Sequence, residues 1–189
     1  METTDYAEIT ECWVRNLVVG LNLCPFAAEP LRRGRIRYAV CLESETEAIF
    51  RSLLQEMEAM LRLPEAEVET SLFIVPHGLA TFEAYLALLE SAEDALHEVG
   101  LEGVFQLASF HPDYCFAGED QNDPANYTNR SPFPMFHLIR EASLERALEN
   151  YPNPATIPLR NVEKLRELGL REIERLLRDC AAKQRSNVV

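Results

Sequence analysis

Residues 127–141, YTNRSPFPMFHLIRE, gather polar and charged side chains that a folding core alone would not require. Arg130 and Arg140 carry planar guanidinium groups, which suit a carboxylate or a phosphate. Asn126 and Asn129 add neutral hydrogen-bond donors that could fix the orientation of such an anion. The segment therefore predicts an anion pocket that holds a small acid or a phosphate ester.

Both arginines also have a structural interpretation. Acidic residues lie close to them in the sequence, so each guanidinium could clamp the loop through an internal ion pair. For Arg140, which stands beside Glu141 on a predicted helix, the clamp is favoured, whereas for Arg130 both interpretations stay open. Tyr114 is a further candidate for contact with the ligand.

A metal site is the second hypothesis. Its candidate ligands are His111, His137 and Asp113, with Asp123 as an alternative carboxylate and His77 or Cys24 as a completing ligand. This order resembles a two-histidine, one-carboxylate iron site, but such sites are built on antiparallel barrels, which alternating helices contradict. Loop histidines also commonly donate to backbone carbonyls and fix a turn, which is the favoured interpretation for His77. The cofactor is left open, with a divalent metal as one option.

Cys24 supports a third hypothesis, nucleophilic catalysis. The thiol follows the first predicted helix in LNLCPF, and His111 or His137 could act as its base if the fold brings them close. The carboxyl end of a helix raises the pKa of a nearby thiol, which works against a thiolate. A packing role is therefore the stronger alternative for Cys24.

The cysteines are five in number and contain no C-x-x-C pair. This pattern fits neither a disulfide framework nor a zinc finger, so reduced thiols are predicted. Cys12, Cys41 and Cys180 fall in helix or strand patterns and are predicted to pack in the interior.

Short apolar segments that alternate with helical patterns define the predicted fold. Three strands are predicted at 36–43, 69–75 and 104–110, and a capping box from Ser44 to Glu47 opens the helix after the first. Helices of this length between strands imply right-handed crossovers. The chain is therefore predicted to be α/β or α+β, with a short three-stranded sheet that is parallel or mixed.

The carboxyl ends of parallel strands share one edge of a sheet, and α/β proteins bind ligands there. The second and third predicted strands end next to His77 and His111. The loop 111–134 lacks periodicity but has too much aromatic surface to leave in water, so it is predicted to be ordered and to cover the sheet. It would then bring His137 within reach of the same edge.

The remaining segments are predicted to be helical. The first helix covers roughly residues 4–20, one or two helices include Leu138 and Ile139, and residues 159–183 form a charged tail with a break at Gly169. The apolar stripe of this tail packs either on the core or on a second chain. We expect a single domain of 189 residues, with an α/β core over 1–150.

Composition excludes several classes of partner. The formal net charge of −13 repels nucleic acid and anionic lipid, and no apolar run reaches the length of a membrane span. The amino-terminal residues lack the pattern of an export signal, so a cytoplasmic protein is expected. The sequence makes no prediction of the oligomeric state.

Three long blocks resemble a known family. WVRNLVVGLNLCPFA, LEGVFQLASFHPDYCFAG and DPANYTNRSPFPMFHLIREAS are similar to the bacterial and plastid proteins grouped as domain of unknown function 1415, over roughly residues 5–175. The resemblance implies no reaction and no cofactor, because the family has none assigned. It implies only that the candidate site residues fall inside the family's motifs, namely Cys24, His111, Tyr114, Asn126, Asn129, Arg130, His137 and Arg140.

Two functions follow as expectations. The first is an enzyme for a small anionic metabolite, in which Arg130 and Asn129 hold the anion while His111 and His137 handle protons or a metal. The second is a non-catalytic binding or scaffold protein, in which the loop is a structural plug and the helical tail is the partner surface.

Overall fold

A computed structural model describes residues 2–149 and 151–185, with side chains described through residue 182. The strands are β1 (Ile36–Val40), β2 (Thr70–Ile74), β3 (Phe105–Phe110) and β4 (Met135–Arg140). The helices are α1 (Thr3–Trp13), α2 (Ala28–Arg32), α3 (Thr46–Arg62), α4 (Phe82–Glu98), α5 (Glu141–Glu149), α6 (Ile157–Leu168) and α7 (Leu170–Arg185). A π-helical turn (Val14–Val19) follows α1, and 3₁₀ helices lie at Pro124–Thr128 and Pro154–Thr156.

The strands form one mixed sheet in the order β1-β2-β4-β3. Strand β2 is parallel to β1, and β4 is antiparallel to both β2 and β3. The α/β class is confirmed, whereas the predicted number of three strands is wrong. Because β4 is antiparallel to both of its neighbours, the three predicted strands do run in one direction and end at one edge.

Strand β4 occupies residues 135–140, where the sequence pattern had predicted a helix. Phe136 and Leu138 face one side of the sheet, and Met135 faces the other, and all three are buried. A strand buried on both faces has no alternation of apolar and polar residues, so periodicity does not separate it from a short helix.

Helices α3 and α4 cover one face of the sheet. Helix α3 connects β1 to β2, and α4 connects β2 to β3, so both connections cross the sheet in the same direction. Right-handed crossovers that run in the same direction place both helices on the same face of the sheet. Buried side chains of this layer include Ile49, Leu53, Met57, Tyr85, Leu88, Phe73 and Phe136. The capping-box prediction is wrong in detail, because Glu45 is the N-cap residue of α3 and makes no side-chain cap bond.

The opposite face, which we call the α1 face, is covered by α1, the π-helical turn, α6 and α7. Its buried side chains include Trp13, Leu17, Leu72, Ile74, Met135, Leu165 and Ile173. The apolar stripe of the predicted tail therefore packs on the core of its own chain. Within the described residues, no helix is long and apolar enough to cross a membrane.

Cys12 and Cys180 form a disulfide between α1 and α7, with Cα atoms 5.5 Å apart. The prediction of five reduced thiols is therefore wrong for these two. Both residues had been expected to pack between helices, and the packing of α7 on α1 brings them within bonding reach. Their proximity depends on the tertiary fold, so spacing along the chain gave no sign of it. Cys24, Cys41 and Cys115 are free.

Candidate functional site

His111 stands at the carboxyl end of β3, and its ring is buried. The backbone N–H of Asp113 donates to Nδ1, so Nε2 carries the proton and donates to the carbonyl of Leu79 at 3.0 Å. Leu79 has a φ of 57°, a conformation that costs free energy for a residue with a side chain. His111 thus fixes the loop before α4, and both of its nitrogens are occupied.

His77, at the same edge, is exposed, and its Nε2 lies 3.1 Å from the hydroxyl of Tyr6. It does not join His111 in a shared cluster. Donation to a backbone carbonyl, the structural interpretation of the loop histidines, describes His111, whereas His77 contacts a side-chain hydroxyl instead.

Arg130 clamps the loop 111–134 through backbone carbonyls rather than through acids. Its Nε donates to the carbonyl of Tyr114 at 2.9 Å, and its Nη2 donates to that of Gln121 at 2.7 Å. The guanidinium also lies over the ring of Tyr127, 5.0 Å from its centroid. These contacts explain why a loop of this length is ordered, and they engage two of the three nitrogens of the group that was predicted to bind an anion.

The two asparagines serve the same loop. Asn126 is buried, its Oδ1 accepts the backbone N–H of Phe116, and its Nδ2 donates to the carbonyl of Asp120 at 2.9 Å. Asn129 donates to the carbonyl of Ser109 at 3.0 Å. Buried amides of this kind satisfy backbone groups that the irregular chain would otherwise leave unpaired.

Arg140 lies at the other edge of the sheet, because it ends β4 where the parallel strands begin. Its guanidinium donates to the carbonyl of Leu63 at 2.8 Å and to those of Met60 and Val68. It therefore caps the carboxyl end of α3. Since Arg130 and Arg140 stand at opposite edges, they do not form the predicted anion pocket together.

The predicted metal ligands are also separated. Both nitrogens of His111 are engaged, and Asp123 caps the 3₁₀ helix and pairs with Arg166 at 2.6 Å. In the part of the chain that the structure describes, no three His, Cys, Asp or Glu side chains are grouped so as to hold a metal. The set of His111, His137 and Asp113 is therefore not assembled.

Cys24 and His137, by contrast, are brought together. Both line a cavity of about 230 Å³ between the sheet and a wall made by α1, the π-helical turn, α2 and α5, which we call the interlayer cavity. Its apolar walls include Trp13, Val14, Val18, Phe26, Leu72, Ala108, Phe110, Ile139 and Leu144. Its polar residues are Cys24, Glu69, Thr70, His137 and Ser143. It contains the pair that the nucleophile hypothesis had named.

His137 occupies the middle of β4, opposite Leu72 on β2 and Ala108 on β3. Its side chain therefore projects from the centre of the sheet and not from the carboxyl edge, where it had been predicted. Its Nε2 lies 2.7 Å from the hydroxyl oxygen of Thr70. Burial lowers the pKa of His137 to about 4, so the ring is neutral near pH 7.

Cys24 follows the π-helical turn and precedes α2. Burial raises the pKa of its thiol, and the backbone N–H groups of Phe26 and Ala27 oppose that rise. The raised pKa agrees in direction with the sequence argument, but the cause is burial rather than a helix dipole. Thiol and imidazole are thus both neutral in the resting cavity.

The π-helical turn forms one wall of this cavity. The sequence predicted one continuous helix over roughly 4–20, but the chain leaves α-helical geometry at Val14, and Val14 and Val18 line the cavity. Turns of π-helix are rare and occur mostly as single-turn bulges inside α-helices, frequently at functional sites. The π-helical turn is therefore an indication of a functional site at the interlayer cavity that does not depend on the polar residues.

Sequence reasoning missed Thr70 and Trp13. Thr70 is a buried hydroxyl in β2, next to the buried Ser71, and two buried hydroxyls at the start of a strand are a signal that could have been noticed. Trp13 is the single tryptophan of the chain, and its buried Nε1 has no hydrogen-bond partner among the described residues. Its ring meets Phe110 edge to face, with centroids 5.3 Å apart.

Fold and site together define a mixed α/β protein with an apolar cavity over its central strands. The chain belongs to the DUF1415 family, described as a protein of unknown function, whose sequence model matches residues 5–175. The comparisons with curated proteins and with solved structures gave no match.

Proposed function

We propose that the protein binds a small, uncharged and largely apolar molecule in the interlayer cavity. The observation that carries this proposal is the cavity of about 230 Å³, with mostly apolar walls, against the central strands. A cavity of about 150 Å³ lined by apolar side chains accommodates benzene. The larger volume here suits a molecule of one or two rings.

The electrostatics of the cavity favour a neutral ligand. No Lys or Arg is among its lining residues, His137 is neutral, and Glu69 is the one acid there. An anion placed in such surroundings would lose hydration without gaining a cation. The contacts of Arg130 and Arg140 with backbone carbonyls also give the anionic-metabolite hypothesis no support.

The proposal is tested by the fluorescence of Trp13, the single tryptophan of the chain, and by thermal unfolding. Toluene and benzyl alcohol should change the emission and raise Tm, whereas benzoate of similar size should do neither. A ligand at 100 times its Kd stabilises a protein by about 2.7 kcal/mol. Binding of benzoate alone would overturn the proposal in favour of an anion site.

A cavity-filling variant links the effect to this cavity. Ala108→Leu adds apolar volume on β3 opposite His137 and should weaken binding at least tenfold. Ala87→Leu introduces the same side chain at an exposed position of α4 and should bind as wild type. Equal weakening in both variants, or in neither, would place the ligand elsewhere.

A second candidate function is thiol chemistry, favoured by the shared cavity of Cys24 and His137. In such a step the sulfur of Cys24 adds to one carbon of a polarised double bond of the substrate, whose π electrons move to the other end of that bond. The thiol proton passes to His137 and then to the substrate atom that received the electron pair. The pKa of Cys24 is raised and the pKa of His137 is lowered, so transfer of the proton from the resting thiol to the imidazole is unfavourable. The proton therefore moves only as the carbon–sulfur bond forms. This candidate ranks behind simple binding for that reason.

Alkylation kinetics test the second candidate. Cys24 should react faster with an uncharged apolar maleimide than with a negatively charged one of equal intrinsic reactivity, and His137→Gln should slow the uncharged reagent. Peptide mapping separates Cys24 from Cys41 and Cys115, the other free thiols. An unchanged rate in His137→Gln would remove His137 from any role as base.

A further inference from the structure

Two hydrogen bonds of Thr70 determine which nitrogen of His137 carries the proton. The hydroxyl of Thr70 lies 2.6 Å from the carbonyl oxygen of Leu138, which can only accept. A hydroxyl has one proton, so that proton is donated to Leu138. The oxygen of Thr70 must then accept from His137 at 2.7 Å, which places the proton of the neutral ring on Nε2.

The other nitrogen of His137, Nδ1, is therefore an acceptor. No described residue donates to it, in contrast to Nδ1 of His111, which accepts from a backbone N–H. His137 is partly buried and lines the cavity from the centre of the sheet. A lone pair is thus available to whatever occupies the cavity.

The other polar groups of the wall are used within the chain. Ser143 accepts from Arg146 and is hydrogen-bonded to Glu65. Glu69 pairs with Arg35 at 3.8 Å. The Cys24 thiol is a weak donor and a weak acceptor. Along the described wall, Nδ1 of His137 is the acceptor at the centre of the sheet, and the carboxylate of Glu69, whose contact with Arg35 is too long for a hydrogen bond, is a second acceptor.

We propose that the ligand carries a hydroxyl or N–H group that donates to Nδ1 of His137, on an uncharged ring-sized body. This inference rests on the proposed function and narrows it to neutral hydrogen-bond donors. Molecules that only accept hydrogen bonds, such as ethers, find no partner at Nδ1.

The test compares phenol, anisole and toluene by titration calorimetry. The three share one ring, and they differ in offering a donor, only an acceptor, or neither. A hydrogen bond contributes about 1 kcal/mol net, so phenol should bind about five- to tenfold more tightly than toluene, and anisole no more tightly than toluene. Toluene binding as tightly as phenol overturns the inference but leaves the proposed function intact. Binding by none of the three defeats both.

The imidazole ¹⁵N resonances give a readout that needs no variant. Free wild-type protein near pH 7 should show Nε2 of His137 protonated and Nδ1 unprotonated, and phenol should shift the Nδ1 resonance. A protonated Nδ1 in the free protein would overturn the inference directly.

Thr70→Val provides the matched variant, because valine keeps the shape of threonine and removes the oxygen that accepts from Nε2. The proton of His137 is then free to move to Nδ1, so the preference for phenol over anisole should fall to about twofold or less. A preference unchanged from wild type would mean that Thr70 does not fix the tautomer.

Discussion

At the scale of single residues, His137 and His111 show how neighbouring groups set the role of a histidine. Both rings are neutral acceptors at Nδ1 and donors at Nε2, as their hydrogen bonds require. Both ring nitrogens of His111 are hydrogen-bonded to the backbone, which gives this residue a structural role. In His137, Nε2 is hydrogen-bonded to Thr70 and Nδ1 has no partner among the described residues, which makes this residue the candidate for function.

The low pKa of His137 predicts a specific pH dependence of stability. An unperturbed histidine has a pKa of 6.5, and burial lowers that of His137 to about 4 in the fold. Between these values the unfolded state binds more protons, so stability should fall as the pH drops from about 6.5 to about 4. A tenfold change in proton affinity corresponds to about 1.4 kcal/mol, so the total loss is about 3 kcal/mol.

Urea unfolding at pH 7 and pH 4 measures this effect, with His137→Gln as the control. Glutamine keeps an N–H for Thr70 but does not titrate, so carboxylates elsewhere contribute equally to both proteins. The variant should gain about 3 kcal/mol relative to wild type over that interval. Parallel stability curves for the two proteins would show that His137 is not held neutral by burial.

Arg130 provides a prediction that separates a clamp from a ligand-binding group. Arg130→Ala removes the donors to Tyr114 and Gln121, and should lower the free energy of unfolding by about 1–3 kcal/mol. Arg130→Lys should recover part of that loss. The contrary outcome is full stability in urea together with loss of stabilisation by phosphate or a small carboxylate, which would restore the anion hypothesis.

The candidate site was only partly predictable from residue types. Cys24 and His137 were named as a possible pair, because thiol and imidazole chemistry can be read from any sequence. The roles of Arg130 and Asn126 were not predictable, since backbone carbonyls are present at every position and leave no trace in residue identity. Cavities are likewise properties of packing, so no spacing pattern indicated the one at His137.

At the scale of elements, the chain shows which strands a sequence reveals. The strands β1, β2 and β3 were predictable, because each is a short apolar run between turn residues and helical patterns. Strand β4 was not, because it is buried on both faces and follows an irregular loop. Its insertion between β2 and β3 also moves His137 from the predicted edge to the centre of the sheet.

The end of α3 is fixed by a side chain from β4, which yields a prediction for that helix. Arg140→Met keeps much of the apolar stem and leaves the carbonyls of Met60, Leu63 and Val68 without their donor. The last turn of α3 should then exchange its amide hydrogens at least tenfold faster, and stability should fall by about 1–3 kcal/mol.

Arg140→Lys is the matched variant, because its ammonium reaches fewer of these carbonyls and should give an intermediate exchange rate. The second turn of α3, whose amides are hydrogen-bonded within the helix and lie far from Arg140, serves as the internal reference. Uniform acceleration along the whole helix would indicate general destabilisation instead of a lost cap.

At the scale of the whole molecule, the first and last described helices are held together across one face of the sheet. Helix α7 packs on α1, and the bond between Cys12 and Cys180 joins them over a separation of 168 residues. Trp13, the neighbour of Cys12, lines the interlayer cavity. The carboxyl-terminal helix therefore supports the layer from which the cavity wall is built.

This disulfide predicts both a thiol count and a stability change. Protein unfolded in denaturant without reductant should present three titratable thiols, those of Cys24, Cys41 and Cys115, and five after reduction. Reduction should lower the free energy of unfolding by about 2–5 kcal/mol, because the bond closes a long loop and restricts the unfolded chain. Cys12→Ser should reproduce the loss, whereas Cys115→Ser should leave stability nearly unchanged. Five thiols in the unreduced sample would mean that packing alone holds α7 on α1.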